Sequence, residues 1–272
     1  MSPRARKSQP HRKLGLIFVL GWLMIGNAHA ASWRFAVPPF LPKTELQAQY
    51  APLLEYLGAS TGESFELVTS ANYQAFWSVA LKGGSYDLVL DNAPMIDFRV
   101  ERQKFVVIAK VAGVVSQSIV TNENTSIFET DELVSKKVAS VASPNLSALA
   151  MFQIFPNPMR QPDFTYTQDA RAAVDMVLKN QAVAAIVPTP IAIQFTNLNV
   201  ATTTKQIPHL AVAAAPSMPA DIRKKVQDAL LKAHGNAAGQ KALTAINTER
   251  FEPASNADYS GYAKWLEGAY GY

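Results

Sequence analysis

The sequence predicts an α/β protein of two lobes, each a mainly parallel sheet flanked by helices, joined by a two-strand hinge. Three observations predict it. Short runs rich in β-favouring residues alternate with amphipathic helical runs along most of the chain, which is the spacing of βαβ units. One polar break, Asn122-Glu-Asn-Thr125, follows a strand-like stretch and precedes a second set of such units. A strand-like run then returns at His209 to Ala214, after the polar run Asn197 to Gln206, and helices close the chain. With crossings near Ser116 and Ile207, lobe 1 is expected at 31–115 and 208–272 and lobe 2 at 116–207.

The N-terminus predicts export. Residues 1–13 hold Arg4, Arg6, Lys7, Arg12 and Lys13 and no acid, Leu14 to Gly26 is apolar, and Ala28-His29-Ala30 has the small-x-small form of a cleavage site. Together these features describe a secretory signal peptide over 1–30, cleaved after Ala30; the apolar run is shorter than the ~20 residues of a spanning helix. The leader carries five basic residues and no acidic ones, so removing it takes the formal charge from +4 to −1. A near-neutral mature chain argues against a nucleic-acid partner. The chain has no cysteine, which excludes a disulfide framework, a thiolate metal site and a thiol nucleophile.

In chain order, Trp33 to Val37 alternates as a first strand, stopped by the stiff Pro38-Pro39-Phe40-Leu41-Pro42. Tyr50, Leu53, Leu54 and Leu57 then share one helical face, with Gly58 and Gly62 as possible terminators. Phe65 to Thr69 is a second strand, and Ser70-Ala-Asn-Tyr73 leads into a helix ending at Gly83-Gly84, with Phe76, Val79 and Ala80 inward. Tyr86 to Leu90 is a third strand, followed at once by Asp91-Asn92-Ala93-Pro94 and another helix. Ligands of such sheets sit beyond the carboxyl ends of the strands, and the candidates there are Phe40, Tyr73, Asp91 and Asn92. Asp91 has two readings: a carboxylate facing the cleft, or a cap on the helix after it.

Val107 to Val111 and Val114 to Thr121 are further strands. In the second set, Val138 to Val141 is a strand and Ser143-Pro144 opens a helix, Ser143 as the cap and Pro144 in the first helical position. Asn145, Leu146 and Ser147 would then present free N–H groups at the positive end of the helix, a place for an anion; an ordinary capped helix has the same spacing. A helix over Asp169 to Lys179 and a strand over Val183 to Val187, ending at Pro188-Thr189, complete this set. Ser217 to Asp221 begins another capped helix that buries Ile222, Val226, Ala229, Leu230 and Ala233, and Tyr259 to Tyr270 is a last aromatic helix.

Catalytic and metal chemistry is not indicated. Beyond the leader there are two histidines, His209 in an apolar strand and His234 at a helix end. No nucleophile elbow, zinc-protease helix or P-loop appears, and the remaining methionines have no metal-ligand spacing. The reading is a non-enzymatic protein without cofactor or metal.

Several segments, in this order, carry a resemblance: Phe35-Ala-Val-Pro-Pro39, Pro52-Leu-Leu-Glu-Tyr-Leu57 with Thr61-Gly62, Asn72-Tyr73-Gln-Ala75, Tyr86-Asp-Leu-Val-Leu-Asp-Asn-Ala-Pro94, Val177-Leu-Lys-Asn-Gln181, Pro216-Ser-Met-Pro-Ala-Asp-Ile-Arg223 with Asp228-Ala-Leu-Leu231, and Phe251-Glu-Pro-Ala-Ser-Asn-Ala-Asp-Tyr259. The chain resembles the periplasmic solute-binding proteins of phosphate, phosphite and phosphonate ABC transporters, the PhnD-like group, over nearly all of its length beyond the leader. The resemblance implies the type II periplasmic-binding-protein fold, a small oxyanion held between the lobes, no cofactor, delivery to an ABC permease in the inner membrane, and a monomer in the periplasm. It also implies a Ser/Thr-rich turn at a helix start in lobe 2. The matching positions here are Ser143-Pro144-Asn145-Leu146-Ser147-Ala148-Leu149, which keep Pro144 and the Ser147 hydroxyl but replace two hydroxyl positions by Leu146 and Ala148 and a glycine by Leu149. Tyr73 matches the family's cleft tyrosine, Asp91 stands where an aromatic residue is usual, and Thr189 falls where polar contacts are common. The expected ligand-binding set is therefore Phe40, Tyr73, Asp91, Asn92, Ser143, Asn145, Ser147 and Thr189. An alternative expectation is a sensory or accessory protein that presents its ligand to a membrane receptor or histidine kinase.

Overall fold

The computed structural model describes residues 1, 32–83 and 86–270. The leader expected over 1–30 lies, Met1 apart, outside the described residues, as does Gly84 of the expected helix terminator.

The chain opens as β1 (Trp33–Ala36), α1 (Lys43–Thr61), β2 (Phe65–Val68), α2 (Tyr73–Leu81), β3 (Leu88–Asp91), α3 (Ala93–Gln103) and β4 (Val106–Val111). Side-chain caps set the starts of two of these helices. Asn72 accepts the Ala75 N–H at 2.8 Å for α2, and Asn92 accepts the Met95 N–H at 3.2 Å for α3. Helix α1 buries Tyr50, Leu53 and Leu57 and ends at Gly62, whose φ of 77° is the left-handed conformation that glycine adopts without strain. Gly58 is inside that helix and accepts from the Gly62 N–H.

Beyond β5 (Val114–Val115) come β6 (Gln117–Asn122), β7 (Lys137–Val141), α4 (Leu146–Ile154), β8 (Asp163–Thr167), α5 (Ala170–Leu178), β9 (Ala184–Pro188), α6 (Thr189–Ala192), β10 (Leu198–Thr203) and β11 (Ile207–Pro208). The chain ends with β12 (Ala211–Ala214), α7 (Ala220–Lys232), α8 (Ala237–Ala245), β13 (Phe251–Glu252) and α9 (Lys264–Tyr270). Helix α7 buries Ile222, Val226, Ala229 and Leu230, but its cap position is Pro219 with no side-chain bond, not a serine. The final helix begins at Lys264, later than Tyr259, because 256–259 form a 3₁₀ turn first. Residues 198–203, within the run read as polar, are an edge strand. Its Val and Thr residues suit a ladder whose outer face meets water.

A six-stranded sheet runs β13-β4-β12-β3-β1-β2 and a five-stranded sheet runs β10-β6-β9-β7-β8. The two connecting strands pair with each other, β5 antiparallel to β11 through Val115↔Ile207 and Val114↔Pro208. The expectation of mainly parallel sheets is corrected to mixed ones. Strand β1 is parallel to β2 and β3, but β12 enters antiparallel between β3 and β4. Likewise β7 is parallel to β8 and β9, while β6 is antiparallel to β9 and β10. The strands that carry the chain across and back must run against the βαβ direction, and they take places inside the sheets.

Alternate residues of the six-stranded sheet pack on opposite faces. Phe35, Leu88, Leu90 and Val212 meet α1, α7 and α8, whereas Ala36, Val89, Ala211 and Ala213 meet Phe76, Ile96 and Tyr259. The five-stranded sheet repeats this, with Val120, Ala139 and Val187 on α5 and Ile119, Val138 and Ile186 on α4. A further cluster joins Trp77 and Met95 of the first set to Leu149 of α4 through Leu266 of α9. No helix of the described residues is long and apolar enough to cross a membrane.

Candidate functional site

A cavity of about 270 Å³ lies where the carboxyl ends of β1 and β3 face the start of α4 and the end of β9. Such a position follows from the topology, since strands leave free backbone groups and divergent loops at that end. Its wall comprises Val37, Pro38 and Phe40 after β1, Tyr73 at the start of α2, and Leu90, Asp91 and Asn92 at β3. From the connecting strands come Val115, Ser116 and Gln117 on the way out and Pro208, His209 and Leu210 on the way back; Asn145, Leu146 and Ser147 enter from α4. The cavity thus brings together six of the eight expected residues: Phe40, Tyr73, Asp91, Asn92, Asn145 and Ser147.

Ser143 and Thr189 are not in that wall. Ser143 and Pro144 occupy the centre of a turn closed by the Asn145 N–H on the Ala142 carbonyl at 3.1 Å. The helix therefore starts later than expected. Its cap is Asn145, whose side chain accepts the Ser147 N–H at 2.9 Å, and Pro144 precedes the first helical turn. The Ser143 Oγ is buried without a hydrogen-bond partner among the described residues. The Thr189 hydroxyl lies 2.8 Å from Ser116 Oγ and 2.9 Å from Ser118 Oγ, and Ser118 Oγ lies 3.0 Å from Thr203 Oγ1. Thr189 belongs to a chain of hydroxyls beside the connecting strands.

At the start of α4 both donors of Ser147 are taken within the protein. The Ser147 hydroxyl, 1% exposed, donates to Gln117 Oε1 at 2.7 Å, so neither its proton nor its N–H is free for a ligand. Asn145 keeps its amide Nδ2, which donates to the Tyr73 hydroxyl at 3.0 Å. This bond spans the cleft, Tyr73 coming from the six-stranded half and Asn145 from the five-stranded half. Burial pushes the Tyr73 phenol up to about 12, so it stays a neutral donor and acceptor.

Asp91 lines the cavity and does not cap α3; Asn92 does. One Asp91 carboxylate oxygen accepts the Asn92 N–H at 2.8 Å, and the other lies 3.5 Å from Arg99 Nη2. Both side chains are almost wholly buried. Burial raises the Asp91 carboxyl to about 6, against the lowering effect of Arg99. Phe76 and Tyr86 stack with centroids 5.8 Å apart, and the Arg99 guanidinium lies beside the pair, 5.6 and 5.9 Å from the two centroids. A lone carboxylate here would repel an anion, but Arg99 offsets it from behind. Sequence reading missed Arg99 because an arginine in mid-helix has no local mark of burial, and its partner Asp91 ends the strand before that helix.

His209 was also missed as a lining residue. Its Nδ1 accepts the Leu210 N–H at 2.7 Å, which puts the proton of the neutral ring on Nε2. Burial, helped by Lys110, lowers its pKa. Among the residues lining this cavity there is no lysine or arginine. Among the described residues no cluster of three or more His, Asp or Glu could hold a metal ion.

The model of a family described as "ABC transporter, phosphonate, periplasmic substrate-binding protein" matches residues 35–259. No curated protein sequence matches the chain. Among solved structures, PhnD1 from Prochlorococcus marinus in complex with methylphosphonate superposes with a TM-score of 0.74 at 13% identity, over 88% of this chain and 98% of that one. A binding protein component of an ABC phosphonate transporter from Pseudomonas aeruginosa gives 0.69 at 14% identity, over 86% and 85%. XAC2383 from Xanthomonas citri bound to ATP gives 0.70 at 12% identity, over 87% and 96%. These likenesses are likenesses of fold.

Proposed function

The chain belongs to the phosphonate family of periplasmic substrate-binding proteins of ABC transporters, and from that membership we propose that it captures a small phosphorus oxyanion, a phosphonate first, in the cleft that the Tyr73–Asn145 bond crosses. The family places the chain in the periplasm, with a small-molecule ligand and a transporter permease as its partners. The observation that carries the proposal is the cavity of about 270 Å³ at the strand ends, walled by both halves of the molecule. In this reading 31–115 with 208–272, and 116–207, are two lobes that turn about the β5–β11 pair and close on the solute. The mature chain starts after Ala30, acts as a monomer and performs no catalysis. Phe40, Tyr73, Asn92 and Asn145 touch the solute, and His209 Nε2 joins them as a donor.

A thermal-shift screen of the mature protein against phosphate, phosphite, methylphosphonate, 2-aminoethylphosphonate, sulfate and neutral metabolites tests the proposal. A ligand at ~100 times its dissociation constant stabilises by ~2.7 kcal/mol, a rise of a few degrees. The expected outcome is a shift with a phosphorus oxyanion that Asn145→Ala removes. A second reading, a sensory protein that presents its ligand to a membrane receptor or kinase, is favoured by the Ser147 donors being already taken. Solute uptake by the reconstituted permease, dependent on this protein, distinguishes the transporter from the sensor.

A further inference from the structure

The inner cavity adjoins a second recess of about 340 Å³, and Phe40, Tyr73, Asn145, Ser147 and Pro188 line both. The two differ in chemistry. Val115, Leu146 and Leu210 give the inner wall an apolar side, Asp91, Gln117 and His209 a polar one, and no lysine or arginine lines it. The outer recess adds Gln168, Asp169 and Arg171 from the start of α5. The Arg171 guanidinium donates to Gln194 Oε1 at 2.8 Å, a neutral partner that holds it in place, and makes no ion pair among the described residues. Asp169 is committed to the helix, its carboxylate accepting the Ala172 N–H at 2.8 Å.

An anionic head placed in the inner cavity would lose its water with no cation in the wall to replace it, and its burial is unfavourable. Beside Arg171 it keeps both solvent and a guanidinium that can grip two oxygens. An apolar body has the opposite preference. A dry cavity of roughly 150 Å³ accommodates a benzene ring, so about 270 Å³ leaves room for a ring or a branched alkyl group.

We propose that the solute is a phosphonate with an apolar organic substituent of about ring size, its head in the outer recess on Arg171 and its substituent in the inner cavity against Leu146, Val115 and Leu210. Arg171 is then a ligand-binding residue, and the inner cavity sets specificity for the substituent. This inference rests on the solute-binding reading above.

Calorimetric titration of the mature protein with methylphosphonate, phenylphosphonate and phenylmethanol tests it, in the wild type, in Arg171→Gln and in Leu146→Trp. Thermal melts check that both variants fold; if Leu146→Trp does not fold, the comparison of the three ligands and the exposed Arg171→Gln suffice. Phenylphosphonate is expected to bind about tenfold or more tighter than methylphosphonate, from the extra apolar area buried. Arg171→Gln is expected to weaken both phosphonates about tenfold and to leave phenylmethanol unchanged, whereas Leu146→Trp weakens the two ring compounds and spares methylphosphonate. If methylphosphonate binds as tightly as phenylphosphonate, or Arg171→Gln changes nothing, the inference falls and the solute-binding reading stands. If neither phosphonate binds in this titration and inorganic phosphate, titrated alongside, does not bind either, the solute-binding reading falls and takes this inference with it.

Discussion

At Asp91 and Arg99 two charges are removed from water in the same place, and each is tolerable only because of the other. Breaking such a pair from one side leaves a bare buried charge, so Arg99→Met should lower unfolding stability by about 3–5 kcal/mol, measured by urea denaturation. The pH dependence has a definite sign. The Asp91 carboxyl is raised from 3.8 to about 6 by burial, so between those values the folded protein holds a proton that the unfolded chain has lost. Its contribution to stability is present below the lower value and is lost as pH rises through the upper one. Asp91→Asn cannot titrate. Its deficit in melting temperature relative to wild type should shrink as pH rises from about 4 to about 6, and a deficit that grows over this window would contradict the assignment. Ser147 is a further buried polar residue at the cavity. Ser147→Ala leaves Gln117 Oε1 without its donor and should cost about 1–3 kcal/mol.

Among the elements, the helix starts are where sequence and structure agree most and least. Asp169, read from the sequence as the first residue of a helix, is the cap of α5, and Asp169→Ala should destabilise by about 1 kcal/mol in a thermal melt. At α4 the same logic of spacing puts the cap on Ser143, while the structure puts it on Asn145. Both residue types accept a helix N–H well, so propensity could not choose between them; the turn closed on Ala142 does. Helix α8 depends on a contact invisible in its own sequence. A Cβ added at Gly239 would lie 2.1 Å from the Ala233 carbonyl oxygen. Gly239→Ala, favourable in an isolated helix, should here lower the melting temperature, with a cost of about 1–3 kcal/mol from the forced backbone shift.

Across the whole molecule, contacts besides the β5–β11 pair join the halves, and two of these differ in kind. One is the Tyr73–Asn145 hydrogen bond over the cavity, and the other is the cluster of Trp77, Met95 and Leu149 around Leu266 of α9. The first is a single polar bond that a ligand could replace. The second is an apolar seam, and Leu266, 1% exposed, is central to it. Leu266→Ala should cost about 2–5 kcal/mol through the cavity it leaves. Tyr73→Phe keeps the ring and removes the bond across the cleft. Small-angle scattering should then report a larger radius of gyration for the unliganded protein, and an unchanged radius would mean that this bond does not hold the halves together.

The alternation of strand and helix and the faces buried by α1, α2 and α7 were legible in the sequence, which also narrowed the end of α1 to two glycines. Each is a local matter of periodicity, backbone conformation or composition that neighbouring residues settle. The strand directions were not, because whether β12 enters its sheet parallel or antiparallel depends on where a chain that has crossed to the other sheet comes back. Six of the eight expected site residues reach one cavity because they follow strand ends or begin helices. Thr189 and Ser143 do not, since what a hydroxyl faces is decided by its packing, and packing also produced the Arg99 that no motif marks. What only the tertiary structure decided was which charges are buried together and which donors are already taken, for burial and hydrogen-bond satisfaction depend on residues far apart in the chain.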